Sequence, residues 1–276
     1  MNSRITAQTT VADLVDLWLE QVRVDGRLES TTINEYERVL RTLVVPRLGG
    51  MRLHELTRSR INALLGDLGA QSVNRQRKAK VVTGAMLDTA VMRGALEANP
   101  VCGSLSISRP KAAARSLTLG EVDEVRAAVR AWLSKDRPGP RSSGDMADII
   151  ELMLATGARI GEVLALRWRD VDLGARTVEI NATIKTESGN GTYRKSLPRP
   201  RMIELPESAV FVLDRRRSAV PGNVIDAVFP TRYATWQQVN NVERRWRQIR
   251  REAGLDGITP EMFRSHAPAQ PVHRTQ

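Results

Sequence analysis

The sequence has one cysteine and three histidines, and each scarcity excludes a kind of site. Cys102 has no second cysteine with which to form a disulfide within the chain, so a reducing compartment suits it. The histidines His54, His266 and His273 are scattered, and no Cys or carboxylate lies near them at metal-ligand spacing. The sequence therefore predicts no metal site.

Long apolar runs and phosphate-binding glycine loops are also missing. No apolar run approaches the ~18 residues that a membrane-spanning helix needs. The polar start, MNSRITAQTT, lacks the apolar core of a secretion signal. Without a G-x-x-x-x-G-K-[ST] loop, a nucleotide-driven enzyme is not indicated. We therefore expect a soluble, cytoplasmic protein with no membrane partner.

Positive charge, by contrast, is abundant. The 276 residues carry a formal net charge of +11, and the sequence pI is about 10.7. Such an excess favours a polyanionic partner, because neutralising phosphates releases counterions and drives sequence-independent DNA affinity. Arg244 and Arg245, in a basic run near the carboxyl end, are candidate DNA-binding residues. Solvated surface charge is the alternative for each of them.

Four amphipathic helices are predicted between Thr10 and Gly94, where apolar residues recur at helical spacing. Thr10, Thr57 and Ser72 are suited to cap three of these helices. Pro46 is expected to end the second helix, because a proline disfavours helical backbone in the residue before it.

The solvent side of the fourth predicted helix carries a basic stripe. Its members are Arg75, Arg77, Lys78 and Lys80. A stripe of this kind binds DNA or is simply solvated, and spacing alone does not decide between the two.

The remaining chain predicts a linker followed by a second domain. Residues 99–115 are rich in proline, serine and alanine and have no sustained apolar period, so we expect a helical domain at 1–98, a linker at 99–115 and a second domain at 116–276. In that domain Asp145 is suited to cap a helix. Period-two patterns at 177–184 and 201–205 then predict strands of a long hairpin. The expected fold class is mainly α with a small antiparallel sheet.

One arginine lies in a tight turn between two apolar helix faces. The segment Ala155–Leu173 reads ATGARIGEVLALRWRDVDL, with Gly157 breaking the first helix and Arg159 just before the second. Packing at this junction leaves the guanidinium little conformational freedom. Such a group suits bidentate binding of a phosphate or carboxylate. Capping of the first helix's carbonyls is the structural alternative.

This segment, with its W-x-D-x-D run at Trp168, Asp170 and Asp172, resembles the first-arginine motif of the tyrosine recombinases, the phage integrase family. The amino-terminal half is similar to the core-binding domain of the same family. The resemblance implies a helical core-binding domain plus a mixed α/β catalytic domain of tyrosine-recombinase type. It also implies site-specific DNA recombination or integration, in which Arg159 clamps the scissile phosphate.

Further consequences of the resemblance concern partners and cofactors. The family transfers a DNA phosphodiester onto a protein tyrosine and back, so neither a metal nor a nucleotide cofactor is implied. The implied partner is double-stranded DNA with an inverted-repeat core site, on which self-association is expected.

Two more segments resemble family motifs. Lys195–Pro206, KSLPRPRMIELP, resembles the hairpin whose lysine acts as general acid, which makes Lys195 the candidate, with Lys185 on the preceding strand as a competitor. Ile258–Arg264 resembles the T-P-H-x-L-R segment, which makes Arg264 the second phosphate clamp. Glu261 stands where the family usually has histidine. It is either a doubtful catalytic substitute or a first-turn helix residue favoured by the helix dipole.

No residue is assigned as the nucleophile. In the family, a tyrosine follows this last motif by several tens of residues, whereas Tyr36, Tyr193 and Tyr233 all precede Arg264. We therefore expect the carboxy-terminal end of the catalytic domain to be missing. Alternatively, the protein is a non-catalytic DNA-binding remnant or a regulatory DNA-binding protein. Loss of the carboxy-terminal end of the catalytic domain should expose apolar surface around Leu152, Leu164 and Leu166.

Overall fold

The computed structural model describes residues 5–107, 115–135, 144–187, 189, 191–219 and 222–266. The chain divides into two compact units, Met1–Lys111 and Ala112–Gln276. The described part of the chain is mainly helical and contains one three-stranded antiparallel sheet. The predicted fold class is therefore confirmed. None of the described helices combines the length and the apolar character that crossing a bilayer needs.

The first unit is built from helices around a single apolar core. Its main helices are α1 (Val11–Asp25), α2 (Ser30–Val39), α3 (Val45–Leu48), α4 (Arg58–Gln71) and α5 (Val73–Met92). The side chains of Thr10, Thr57 and Ser72 each accept a hydrogen bond from a backbone N–H at the start of α1, α4 and α5. These caps are where the sequence predicts them.

Pro46 does not end the second helix, contrary to the prediction. A π-helical turn, Leu40–Val44, continues α2 and leads directly into α3, where Pro46 occupies the first turn. The wider turn shifts the hydrogen-bonding register, and a proline in a first turn needs no partner for its missing N–H. The chain therefore stays helical through Leu48.

The first part of the predicted linker packs on the first unit. The Asn99 side chain donates hydrogen bonds to the Gly84 carbonyl at 2.9 Å and to Asp88 at 2.6 Å. Val101 joins the buried core. Residues 99–107 are therefore held by α5 rather than free, while 108–114 lie outside the described residues.

The second unit surrounds a small sheet with helices. Its helices are α6 (Leu119–Ser134), α7 (Asp145–Thr156), α8 (Ile160–Leu164), α9 (Glu207–Ala219), α10 (Val239–Glu252) and α11 (Pro260–His266). Its strands are β1 (Val171–Asp172), β2 (Thr177–Glu187) and β3 (Gly191–Glu204), in the order β1-β2-β3. The predicted long hairpin is thus β2 and β3. The pairing register shifts between Ile180 and Ala182, so β3 bulges there.

The apolar residues expected to be exposed are buried instead. Leu152, Leu164 and Leu166 belong to the core of the second unit, which the described helices and strands already cover. That prediction was wrong because it assumed that only a further carboxy-terminal segment would cover these residues.

Asp145 does not cap α7, because Gly144 takes the capping position without a side-chain hydrogen bond. Asp145 is buried and pairs with Arg216 at 2.7 Å, while Asp148 pairs with the same guanidinium at 3.1 Å. Arg216 also donates to the Val228 carbonyl at 2.6 Å, and its guanidinium lies 4.1 Å from the Phe229 ring centroid. Burial raises the pKa of Asp148 although arginines oppose the shift. This network ties α7 to α9.

We expect Arg216→Met to destabilise the second unit by about 3–5 kcal/mol, because it removes the countercharge of the buried Asp145 and one of the two arginines that pair with the buried Asp148. Arg215→Gln is the matched control, since Arg215 contacts the same Asp148 but its side chain is 55% exposed. Its expected loss is under about 1 kcal/mol. Denaturant unfolding followed by circular dichroism measures both. Equal losses in the two variants would show that the buried pairing is not what holds α7 to α9.

Candidate active site

Arg159 is held at the junction of α7 and α8 by backbone geometry. Gly157 ends α7 in the left-handed conformation, with φ 65°, which glycine adopts without strain. Arg159 then caps α8 in extended backbone. Its side chain remains 62% exposed. The turn therefore fixes the base of the side chain and leaves the guanidinium accessible.

Glu162, one turn into α8, holds Arg159 through its side-chain carboxylate. Its carboxylate is 2% exposed and accepts the Arg159 backbone N–H at 2.9 Å and the Arg159 Nη1 at 3.1 Å. Arg201 on β3 donates to the same carboxylate from Nη2 at 2.6 Å. One buried carboxylate thus holds two guanidinium groups.

The protonation state of Glu162 follows from these contacts. Burial by itself raises the pKa of Glu162, but hydrogen bonds from Arg201 and from the Arg159 backbone outweigh burial and lower the pKa below its ordinary value. Glu162 is therefore a carboxylate at neutral pH.

Close packing of α8 on β2 completes the support. A Cβ added at Gly161 would lie 2.6 Å from the Thr183 hydroxyl and 3.4 Å from a Val239 methyl group. Only glycine allows this approach without a shift of its neighbours. The contact places Arg159 beside the hairpin.

A cavity of about 400 Å³ opens in front of Arg159. Its charged lining residues are Arg159, Glu162, Lys185, Glu243, Glu261 and Arg264. Its apolar walls include Met153, Ile160, Leu197 and Val239. Arg264, on α11, donates from Nε to the Gly157 carbonyl at 3.2 Å, so it reaches the same turn that holds Arg159.

The structure brings three of the four predicted catalytic residues to this cavity: Arg159, Arg264 and Glu261. Lys195 is not among the lining residues. It pairs with Thr183 in the hairpin register, whereas Lys185, its competitor, lines the cavity itself. Within the described residues, no group of three or more His, Cys, Asp or Glu side chains is placed to hold a metal ion.

None of the three tyrosines is a lining residue of the cavity. Tyr193 donates its hydroxyl hydrogen to Glu187 at 2.6 Å, and the Tyr233 hydroxyl accepts from Arg232 at 2.6 Å. Tyr36 belongs to the first unit, where it stacks on Trp18.

Two of the predicted DNA-binding residues, Lys78 and Lys80, form contacts within the protein. Hydrogen bonds from Arg38 and Lys78 lower the pKa of Glu35 to about 2, so Lys78 is paired in an ion network. Lys80 donates to the Leu105 carbonyl at 2.8 Å.

The other predicted DNA-binding residues point to solvent or are partly covered. On α5, Arg77 is exposed, and Arg75 is exposed while donating to the Gln71 side chain at 3.1 Å. On α10, Arg244 is exposed and Arg245 is half-buried.

Two residues of the site carry no motif that predicts them, Arg201 and Glu243. Glu243 lies four residues after Val239, so helical spacing puts both on the cavity side of α10. Arg201 reaches Glu162 across the hairpin, a contact that no local pattern encodes.

Comparison with known proteins agrees with this architecture. The model of the phage integrase family matches residues 115–270, and that of the phage integrase N-terminal SAM-like domain matches residues 10–68. A tyrosine recombinase XerC of Xylella fastidiosa (strain 9a5c) is 26% identical over 261 residues, covering 91% of this chain and 80% of the relative.

Solved structures share the fold. The Tn1549 transposon integrase in complex with a circular intermediate DNA superposes with a TM-score of 0.75 at 18% identity, covering 93% of this chain and 84% of that one. A lambda integrase dimer bound to a COC′ core site gives 0.67 at 15% identity, covering 94% and 88%.

The family model matches more than half of the chain, and the fold and the arginine turn agree with it. The protein therefore belongs to the phage integrase family, the tyrosine recombinases. The resemblance found in the sequence is confirmed.

We expect Glu162→Gln to destabilise the second unit by about 1–3 kcal/mol at neutral pH, because the ionised carboxylate is the better acceptor for both arginines. A lowered pKa means that this stability is present above the ordinary value of 4.5 and is lost as the pH falls through the folded-state pKa. Unfolding free energies of both proteins across a pH series check this. The difference should be constant near neutrality and shrink in acid. A difference unaffected by pH would contradict the charged role.

Proposed function

We propose that this protein serves in site-specific recombination of duplex DNA, and that its second unit holds a backbone phosphate between Arg159 and Arg264. The observation that supports this most directly is the placement of both arginines on one cavity, with Arg159 exposed above a buried carboxylate. Two guanidinium groups offer donors to both non-bridging oxygens of a phosphodiester.

The chemistry follows from these charges. In the family reaction a tyrosine oxygen bonds to phosphorus while the bond to the 5′ oxygen breaks, and negative charge grows on the non-bridging oxygens. Arg159 and Arg264 stabilise that charge without reorganising. The departing 5′ oxygen takes a proton from a positioned acid. Lys185, inside the cavity, is the better-placed donor, and Lys195 is the alternative two cross-strand pairs away.

Glu261 works against phosphate capture in this arrangement. It lines the cavity together with Glu243, and both are exposed carboxylates. Where the family usually has a histidine, a carboxylate repels the phosphate that an imidazolium attracts. We therefore infer that this site binds phosphate more weakly than one with histidine at this position.

The nucleophile decides between two versions of the function. Because Tyr36, Tyr193 and Tyr233 do not line the described cavity, we infer that none of these three residues is the nucleophile of this site. This observation favours the second candidate function, a DNA-binding protein that performs no strand transfer by itself.

The proposed partner is a DNA duplex with an inverted-repeat core site, on which the protein self-associates. The lambda integrase relative forms a dimer on a core site. A two-fold repeat in DNA matches two copies of one protein. The exposed Arg75 and Arg77 of the first unit and Arg244 of α10 are the proposed contacts to the DNA backbone, together with the engaged Lys78, Lys80 and Arg245.

A nicked duplex carrying an inverted-repeat core site tests both versions. We expect salt-sensitive binding and no covalent protein to 3′-phosphate adduct. Arg159→Gln should weaken binding about tenfold or more, because it removes a charge-assisted contact to phosphate. Arg130→Gln, which removes an equal charge from an exposed site on α6, is the control. An adduct would refute the version without strand transfer, and equal affinities of the two variants would refute the clamp.

We expect Glu261→Gln to strengthen binding of the same duplex about three- to tenfold at low salt, because it removes a negative charge beside the phosphate. Glu261→His should strengthen binding further as the pH falls below about 6.5, where the imidazole becomes cationic. Filter binding at matched ionic strength measures both effects. Unchanged affinity in both variants would place Glu261 away from the phosphate.

A further inference from the structure

The Glu162 carboxylate is shared by two arginines, of which only Arg159 lines the cavity. Arg201 approaches from β3, is 31% exposed, and lies outside the cavity lining. The phosphate site as proposed above makes no use of it. Its 2.6 Å contact with Glu162 Oε2 is nevertheless the shortest that this carboxylate makes among the described residues.

The shape of the hairpin brings Arg201 to this position. In the pairing register Ala182 faces Ser196 while Ile180 faces Arg201, so β3 carries several extra residues between the two pairs. Arg201 is the first paired residue after this bulge. Bulges re-aim side chains and commonly lie beside functional sites. The bulge also contains Leu197, which lines the cavity.

The charges of the three groups explain why a second arginine matters. A buried carboxylate paired with Arg159 alone would form a pair with no net charge and would draw the guanidinium towards the interior. With Arg201 present, two positive charges face one negative charge, so the group keeps a net charge of +1. Hydrogen bonding from Arg201 lowers the pKa of Glu162 more than either Arg159 contact does, once the opposing effect of burial is set aside.

We propose that Arg201 is a positioning residue that offsets the charge of Glu162 and thereby leaves a net positive charge at Arg159, whose exposed guanidinium binds a DNA phosphate. The proposal rests on the proposed function, in which Arg159 contacts phosphate. Arg201 itself touches neither the cavity nor the phosphate; it acts through Glu162.

A purely structural role for Arg201 makes a different prediction. If Arg201 only holds β3 against α8, removing Glu162 as well should cost further affinity or none. If Arg201 balances the charge of Glu162, then removing that charge should restore the affinity that loss of Arg201 takes away. The charge-balancing role therefore predicts a gain in DNA affinity when Glu162→Gln is added to Arg201→Gln. The structural role predicts a loss or no change.

The experiment compares the affinity of one duplex DNA for five full-length proteins: the wild type, Arg201→Gln, Arg201→Lys, the double variant Arg201→Gln/Glu162→Gln, and Arg199→Gln. We expect Arg201→Gln to bind roughly tenfold more weakly. Arg201→Lys keeps the charge and should lose less. The double variant should recover to within about threefold of the wild type, since the unbalanced carboxylate is gone.

Arg199→Gln is the matched control, because Arg199 is exposed on the same strand and the described residues give it no hydrogen bond to Glu162. It should change affinity by less than about threefold. Circular dichroism of each variant confirms folding. Equal losses in Arg199→Gln and Arg201→Gln, or a double variant that binds no more tightly than Arg201→Gln, would overturn the proposal.

A second measurement separates failure of this proposal from failure of the proposed function. If the wild type and Arg159→Gln bind DNA equally, the phosphate clamp is wrong, whatever Arg201 does. The side-chain nitrogen NMR signal of Arg159 then decides about Arg201 without DNA. It should shift in Arg201→Gln, and a signal that does not move overturns the positioning role.

Discussion

The buried carboxylate of Glu162 is the contact on which the candidate site depends. It accepts hydrogen bonds from the backbone and side chain of Arg159 and from Arg201, and so joins the α7–α8 turn to the hairpin. A carboxylate in the protein interior is costly unless its charge is balanced. Here the balance exceeds neutrality, which leaves positive charge at the surface. The buried acid thus supports an anion-binding site, because it holds two arginines in place.

The rest of the second unit holds this contact in place. Gly157 ends α7 so that Arg159 follows immediately, and the Arg264 side chain returns to the Gly157 carbonyl from α11. The pairing of Arg216 with two buried carboxylates ties α7, which leads into the turn, to α9, which lies much later in the sequence. Phosphate chemistry needs cations in fixed positions rather than mobile ones. Buried ion pairs provide that rigidity here.

Local signals in the sequence were reliable where the physics is local. The helix caps at Thr10, Thr57 and Ser72 form where the sequence predicts them, and so does the glycine turn before Arg159. The predictions for Pro46 and Asp145 were wrong for a common reason. Each residue type has a local preference, but a π-helical turn in one case and a buried arginine in the other decided its place. For Asp145, the buried ion pair outweighs a helix-capping preference of about 1 kcal/mol.

The sequence by itself determined the family, the mainly helical fold class and the two arginines of the cavity, because a motif places each arginine beside a glycine turn or a helix start. Only the tertiary structure decided that Lys185 rather than Lys195 lines the cavity, and that Arg201 reaches Glu162. Both outcomes depend on the register and the bulge of one hairpin. Register is set by how the strands pack on α8, and no spacing along a single strand encodes that packing.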